Sequence, residues 1–174
     1  MVAPAKPDYS ISEVQRATSQ RVPIPELTEH GLLPLGVHPA TLEEVVARFG
    51  TDNPRRVRLG EALTRFVDLL RAFGLFTNVF VDGSFTTDRE LPGDVDVIAH
   101  LPVSKIKTEL HRHARWAELE RDLVKQTFEV DLLIEPSEAG HAMMVAFFQT
   151  LKAKDLISRK VPASHRRGIL KVRV

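Results

Sequence analysis

Asp94 and Asp96 stand two apart in Asp94-Val95-Asp96-Val97-Ile98-Ala99, a run whose β-branched residues mark it as a strand. A strand has period two, so both carboxylates leave the same face, about 6–7 Å apart by strand geometry. Carboxylates so placed repel, and in a partly dry site one takes up a proton unless a cation compensates the pair. A divalent ion is the natural compensation. Hard oxygen ligands select Mg²⁺ or Mn²⁺, which proteins hold through one or two carboxylates together with substrate phosphates. Asp131, within Glu129-Val130-Asp131-Leu132-Leu133, offers a third carboxylate on the face opposite Val130 and Leu132. The turn Asp82-Gly83-Ser84 completes the set: Gly83 lets the backbone approach a ligand, and Ser84 with the following amides can cradle phosphate oxygens. Asp82 reads as structural. A lysine already seated between these acids, or Asp131 turned away from the other two, would leave a scaffold without metal chemistry.

The elements that must position these residues follow from pattern. Val79-Phe80-Val81 is a strand running into the Gly83-Ser84 turn, Pro92-Gly93 turns the chain into the Asp94 strand, and 128–134 is a third strand. Upstream, Thr41 and Glu44 have capping-box spacing and open a short helix stopped at Gly50. A second helix over 54–73 carries the stripe Val57, Leu59, Leu63, Phe66, Val67, Leu70 and Phe73, with arginines opposite and Gly74 as terminator. The stretch 104–127 is charged and mostly helical, 137–156 is expected to be one helix, and 168–174 a last short strand. Six of the eleven prolines fall in residues 1–40, which predicts an arm rather than core, with a possible helix at 11–18; residues 41–174 would form the domain.

Composition excludes several classes. At 174 residues, 43% hydrophobic and 27% charged, the chain has the size and balance of one globular domain, neither disordered nor fibrous. No apolar run approaches the ~20 residues of a membrane span, no secretory leader is visible, and there are no cysteines. A cytoplasmic protein without disulfides or thiolate chemistry is therefore expected, with no membrane partner. Net charge is only +1, but residues 151–174 hold eight basic side chains against Asp155 alone. That tail reads equally as a solvated surface or as a polyanion contact, the latter implying RNA binding that weakens steeply with salt.

The spacing of Gly83, Ser84, Asp94, Asp96 and Asp131 resembles the nucleotidyltransferase superfamily, the polymerase-beta-like fold. More narrowly, Gly31-Leu32-Leu33-Pro34, His38-Pro39-Ala40-Thr41-Leu42-Glu43-Glu44 and Asp82-Gly83-Ser84-Phe85 look like a family of small, uncharacterised bacterial nucleotidyltransferase-like proteins. The likeness covers residues 31–135 well and the C-terminal helix loosely. It implies an α/β (α+β) fold, a small mixed sheet flanked by helices, and Mg²⁺-dependent transfer of a nucleoside monophosphate from a nucleoside triphosphate to a hydroxyl of RNA or protein. By that resemblance Asp94 and Asp96 bind metals, Asp131 joins one metal and helps deprotonate the acceptor, and Gly83 and Ser84 hold the terminal phosphates. The superfamily often has an arginine soon after Gly-Ser, whereas this chain reads Phe85-Thr86-Thr87-Asp88-Arg89. Arg89, Lys105 and Lys152 are the candidates to replace it, each also readable as a solvated surface charge.

Plainer readings stand beside these. The strand aspartates could be charges that protect a sheet edge. His111 and His113, two apart on a helix, do not share a face and make a poor metal pair. Trp116 and the series Met143, Phe147, Leu151 read as packing, and Phe85 as core beneath the turn rather than a base-stacking aromatic. With few residues left after Asp131 for an acceptor domain, the rival to an enzyme is a non-catalytic or weakly catalytic partner-binding module on the same fold, such as half of a toxin–antitoxin or defence pair.

Overall fold

The computed structural model describes residues 23–102, 120–135 and 138–174. Lys105, His111, His113, Trp116 and the 11–18 segment lie outside the described residues. Helix α1 (Leu42–Phe49) begins as its sequence predicts: Thr41 Oγ1 accepts from the Glu44 N–H at 3.2 Å while the Glu44 carboxylate accepts from the Thr41 N–H at 2.7 Å. Both donors would otherwise be orphaned at the helix start. Helix α2 (Pro54–Phe73) is capped by Asn53, starts on Pro54 and ends at Gly74 in the left-handed conformation. The stripe read from its sequence is buried from Leu59 to Leu70, but Val57 is exposed. Arg56, one of the arginines expected opposite the stripe, is instead buried, at 3% exposure.

Five strands form one mixed sheet in the order β1-β5-β2-β3-β4: β1 (Val37–Ala40), β2 (Asn78–Asp82), β3 (Val95–His100), β4 (Val130–Glu135) and β5 (Ile169–Arg173). β1 runs parallel to β5 and β3 to β4, while β2 is antiparallel to both β5 and β3. One face buries Val79, Val81, Val97, Ala99, Leu132, Leu170 and Val172 in the main core with α1, α2 and Val124 of α3 (Arg121–Phe128). The opposite face carries Phe80, Ile98 and Ile169 under Met144, Val145 and Phe148 of α4 (Glu138–Phe148). This is the small α+β fold, a mixed sheet flanked by helices, that the sequence implied.

Three expectations change. The segment 23–40 is not a free arm: Leu32 and Leu33 are buried, and β1 completes the sheet edge. Proline is compatible with that position because an edge strand needs only half its donors. The single helix expected over 137–156 is two, α4 and α5 (Ala153–Arg159), since 149–151 are drawn out of helical geometry by distant partners. Gln149 Nε2 donates to Gly36 O at 3.0 Å, its carbonyl accepts from the Arg167 N–H, and Leu151 buries against Leu32 and Val161. Finally, of the series Met143, Phe147 and Leu151, Leu151 packs as expected, but Met143 and Phe147 are 71% and 68% exposed. Ala142-Met143-Met144-Val145-Ala146-Phe147-Phe148 is apolar on nearly every side, and the side meeting the sheet is that of Met144, Val145 and Phe148.

Replacing Thr41 by alanine removes one half of the reciprocal cap and should lower stability by about 1 kcal/mol in urea unfolding. An unchanged midpoint would show that the cap contributes nothing to global stability.

Candidate functional site

The site is built at one end of the sheet, on the face that α4 covers. Asp82, Asp96 and Asp131 are register partners on β2, β3 and β4, so three carboxylates stand in a row, with adjacent strands about 4.8 Å apart. Asp94 precedes β3 by one residue. Gly83 lies next to the row with φ +86°, and a methyl group at that position would overlap Asp96 Oδ2. Only glycine both accepts that backbone conformation and leaves room for the carboxylate.

The loop that follows is held from beneath by α2. The Arg56 guanidinium donates to four carbonyls: Phe49 and Phe85 at 2.9 Å through Nη1, Thr87 and Arg89 at 2.6 Å through Nη2. Burial pulls its pKa down from the ordinary arginine value, with Asp52 and Asp88 opposing that. One residue earlier, Arg55 Nε donates to Pro92 O at 2.9 Å and its Nη2 to Gly93 O, fixing the turn that delivers Asp94. Ser84 Oγ accepts from the Gly93 N–H at 3.4 Å, joining the two turns. Phe85 is fully buried in the core, as expected, and takes no part in the surface of the site.

Gly31-Leu32-Leu33-Pro34 braces the same loop. Gly31 abuts the Asp88 carboxylate, its carbonyl accepts from the Asp88 N–H at 3.2 Å, and Leu33 O accepts from Gly168 N–H at 2.9 Å. Arg159 pairs with Asp88 at 2.8 Å and reaches His30 O. These contacts carry the C-terminal segment across to the Gly83-Ser84 turn. A cleft there is lined by Gly83, Ser84, Asp94, Asp96 and Asp155 together with Arg89, Lys152, Lys154, Arg159 and Arg167. Of the phosphate-binding residues expected from sequence, Gly83, Ser84, Arg89 and Lys152 are brought together in it. A second groove lies across Asp96, with Arg121, Asp131, Leu133, Phe147 and Phe148 in its walls; it shares Asp96, Lys152 and Arg167 with the first.

The acids are compensated unequally. Asp82 is fully buried and pairs with Arg167 Nη2 at 2.5 Å, while Arg167 Nη1 also donates to Gly83 O at 3.2 Å. Burial pushes the Asp82 carboxyl up to about 7 against the pull of Arg167. Asp131 faces Arg121, whose Nε and Nη2 lie 2.7 and 2.6 Å from Oδ1, and Lys125, whose Nζ lies 3.3 Å from Oδ2. Burial raises the Asp131 carboxyl, but hydrogen bonds from Arg121 and Lys125 outweigh it and hold it below the ordinary carboxylate value. Lys125 Nζ also lies 2.9 Å from Asp94 Oδ2. Asp96 differs: among the described residues no cation pairs with it, and burial, then Asp94 and Asp131, push its carboxyl up against Lys152 and Arg167.

The three-acid vacancy expected from sequence is thus corrected. Asp131 stands beside Asp96 in register, yet a lysine does sit between Asp94 and Asp131. That removes the three-acid metal site and leaves metal chemistry only to the Asp94 and Asp96 pair, which no lysine bridges among the described residues. Among the described residues no group of three or more His, Cys, Asp or Glu side chains is placed to hold a metal ion. Asp94 and Asp96, which share the basic cleft, are the acids that fit a hard divalent ion, whose shell would be completed by phosphate oxygens and water.

Sequence reasoning missed Arg55, Arg56, Arg121, Lys125 and Arg167. For Arg121 and Lys125 a signal existed, since residues four apart on a helix share a face. For Arg56 there was none, because an arginine beside an apolar stripe looks the same whether its head is in water or in protein.

Fold and site together define a small α+β domain with an acidic row facing a basic cleft. The chain matches a family of unknown function, DUF6932, over residues 25–173 and belongs to it. No curated protein and no solved structure matches it. Among the described residues no helix is long and apolar enough to cross a membrane.

Replacing Arg56 by methionine strips three buried carbonyls and one part-buried carbonyl of their donor and should lower stability by at least about 3 kcal/mol in urea unfolding, since each orphaned group carries a desolvation penalty. A loss below about 1 kcal/mol would remove the clamp from the account. For Asp82, a folded-state pKa raised above the unfolded one stabilises fully below about pH 4 and fades as pH rises through about 7. The stability difference between the native chain and Asp82→Asn should therefore shift in the variant's favour from pH 4 to pH 8; a flat or opposite trend would contradict the raised pKa.

Proposed function

We propose that this chain is a Mg²⁺-dependent nucleotidyltransferase that moves a nucleoside monophosphate from a nucleoside triphosphate to a hydroxyl of RNA or protein. The observation that carries the reading is the shared cleft: Gly83, Ser84, Asp94 and Asp96 line it together with Arg89, Lys152, Lys154, Arg159 and Arg167. Five cations beside three acids, Asp94, Asp96 and Asp155, suit a polyanion that arrives with a divalent ion. The bound ion would supply charge neutralisation and Lewis acidity at the phosphate oxygens.

The chain's own residues do the positioning. Ser84 and the amides after it hold the terminal phosphates, Lys152 and Arg167 neutralise charge next to Asp96, and the Arg56 clamp keeps the cradle rigid before the ligand arrives. The acceptor hydroxyl attacks the α-phosphorus, its proton passes to solvent or a carboxylate, and pyrophosphate leaves. The second groove shares Asp96 with the first, which gives an acceptor a place beside the same carboxylate. Asp131 is not assigned as the proton acceptor here, because Arg121 and Lys125 hold it ionised and occupied.

A second reading is favoured by that same pairing. With Asp131 and one oxygen of Asp94 already neutralised by side chains, the domain could serve as a non-catalytic or weakly catalytic partner-binding module, for example in a toxin–antitoxin or defence pair.

Nucleoside triphosphate binding, measured by calorimetry with and without Mg²⁺, should require the ion and fall at least tenfold in Asp94→Ala and Asp96→Ala. Metal-independent binding, or binding unchanged in both variants, would refute the transferase reading. Label from an α-³²P triphosphate that never reaches RNA or protein, while a second protein co-purifies tightly, would favour the partner-binding module.

A further inference from the structure

Lys125 is the feature that the proposed reaction does not absorb. Its ammonium sits 2.9 Å from Asp94 Oδ2 and 3.3 Å from Asp131 Oδ2, the bridging position a cation shared by the two acids would take. Magnesium needs its oxygens at about 2.0–2.1 Å, so an ion between the same two carboxylates would overlap the lysine nitrogen. The Lys125 side chain is half exposed, at 47%, but the helix that carries it is held to the domain. Helix α3 is anchored by Val124, 1% exposed in the main core. Glu129, which caps its C-terminus, is gripped by Arg55 and Arg58, each at 2.6 Å. Arg121, four residues before Lys125, takes the other oxygen of Asp131, so α3 presents two cations to the acidic row from one face.

Charge balance points the same way. Asp82, Asp94, Asp96 and Asp131 bring four negative charges when ionised, and Arg167, Arg121 and Lys125 return three through direct pairs. One divalent ion brings the row to a single net positive charge, suited to a phosphate chain. Two would leave it strongly cationic beside a cleft that already holds further basic residues.

We infer that the site takes one divalent cation, between Asp94 and Asp96 on the Gly83-Ser84 side, and that Lys125 is a built-in cation filling the seat where a two-ion site would hold its second metal. The inference rests on the metal-dependent reading above and sets its stoichiometry. In it, Asp131 is an anchor for Arg121 and Lys125 rather than a metal ligand. Lys125 positions Asp94 and contributes a fixed charge that cannot be removed by chelation.

The test is Mn²⁺ binding to the full chain without nucleotide, read from the electron paramagnetic resonance signal of free Mn²⁺, with circular dichroism confirming that each variant is folded. The native chain should bind one ion, Lys125→Met two, and Lys125→Arg one again; Asp94→Ala should abolish binding. Two ions on the native chain, or one on Lys125→Met, would overturn the role of Lys125 while leaving metal-dependent transfer intact. Absence of Mn²⁺ binding in the native chain would overturn this inference, whereas the transferase reading fails separately if triphosphate binding proves independent of Mg²⁺.

Discussion

A charge buried beneath a loop is the constraint on which the site depends. Arg56 cannot shed its proton, so its guanidinium must find acceptors wherever the fold places it, and four carbonyls answer. Three of them, those of Phe85, Thr87 and Arg89, belong to the loop after Gly83-Ser84. The loop therefore cannot relax without leaving a buried cation unsatisfied, a far larger penalty than losing one exposed hydrogen bond. Arg55 extends the grip to Pro92 and Gly93. One turn of helix thus fixes both backbone segments that carry the Gly83-Ser84 turn and Asp94.

On that rigid base the sheet sets an electrostatic problem. Register aligns Asp82, Asp96 and Asp131 across neighbouring strands, and each acid meets a different solution. Asp82 disappears into the core against Arg167, Asp131 is claimed by α3, and Asp96 is left between them with its carboxyl raised. Of these three acids, Asp96 is the one that lines the basic cleft. Arg167 links the two halves, since the side chain that neutralises Asp82 also binds the Gly83 carbonyl. Asp82 is thus structural in a specific sense: it seats the arginine that walls the cleft.

The resemblance read from Gly83-Ser84, Asp94 and Asp96 drew on residues that do share a site, because turn chemistry and strand period are local properties. Gly31-Leu32-Leu33-Pro34, quoted for likeness alone, acquires a physical role: Gly31 fits against Asp88, Leu32 fills the space beside Leu151, and Leu33 receives Gly168. The segment 23–40 looked like an arm because prolines are counted as breakers, yet an edge strand tolerates them. Met143 and Phe147 looked like packing because helical spacing says which residues share a side, not which side meets the sheet.

Local matters are legible in the residues alone: where α1 and α2 begin and end, that Asp94 and Asp96 share a face, and that a glycine turn follows β2. Each depends on dihedral preference, period or a capping pair within a few residues. Only the tertiary structure decided which cation meets which acid. Lys125 between Asp94 and Asp131, Arg167 against Asp82 and Arg56 under the loop join elements from 6 to 85 residues apart. Such pairings are set by strand order and helix placement, and long cationic side chains reach water or protein equally well until the sheet closes around them.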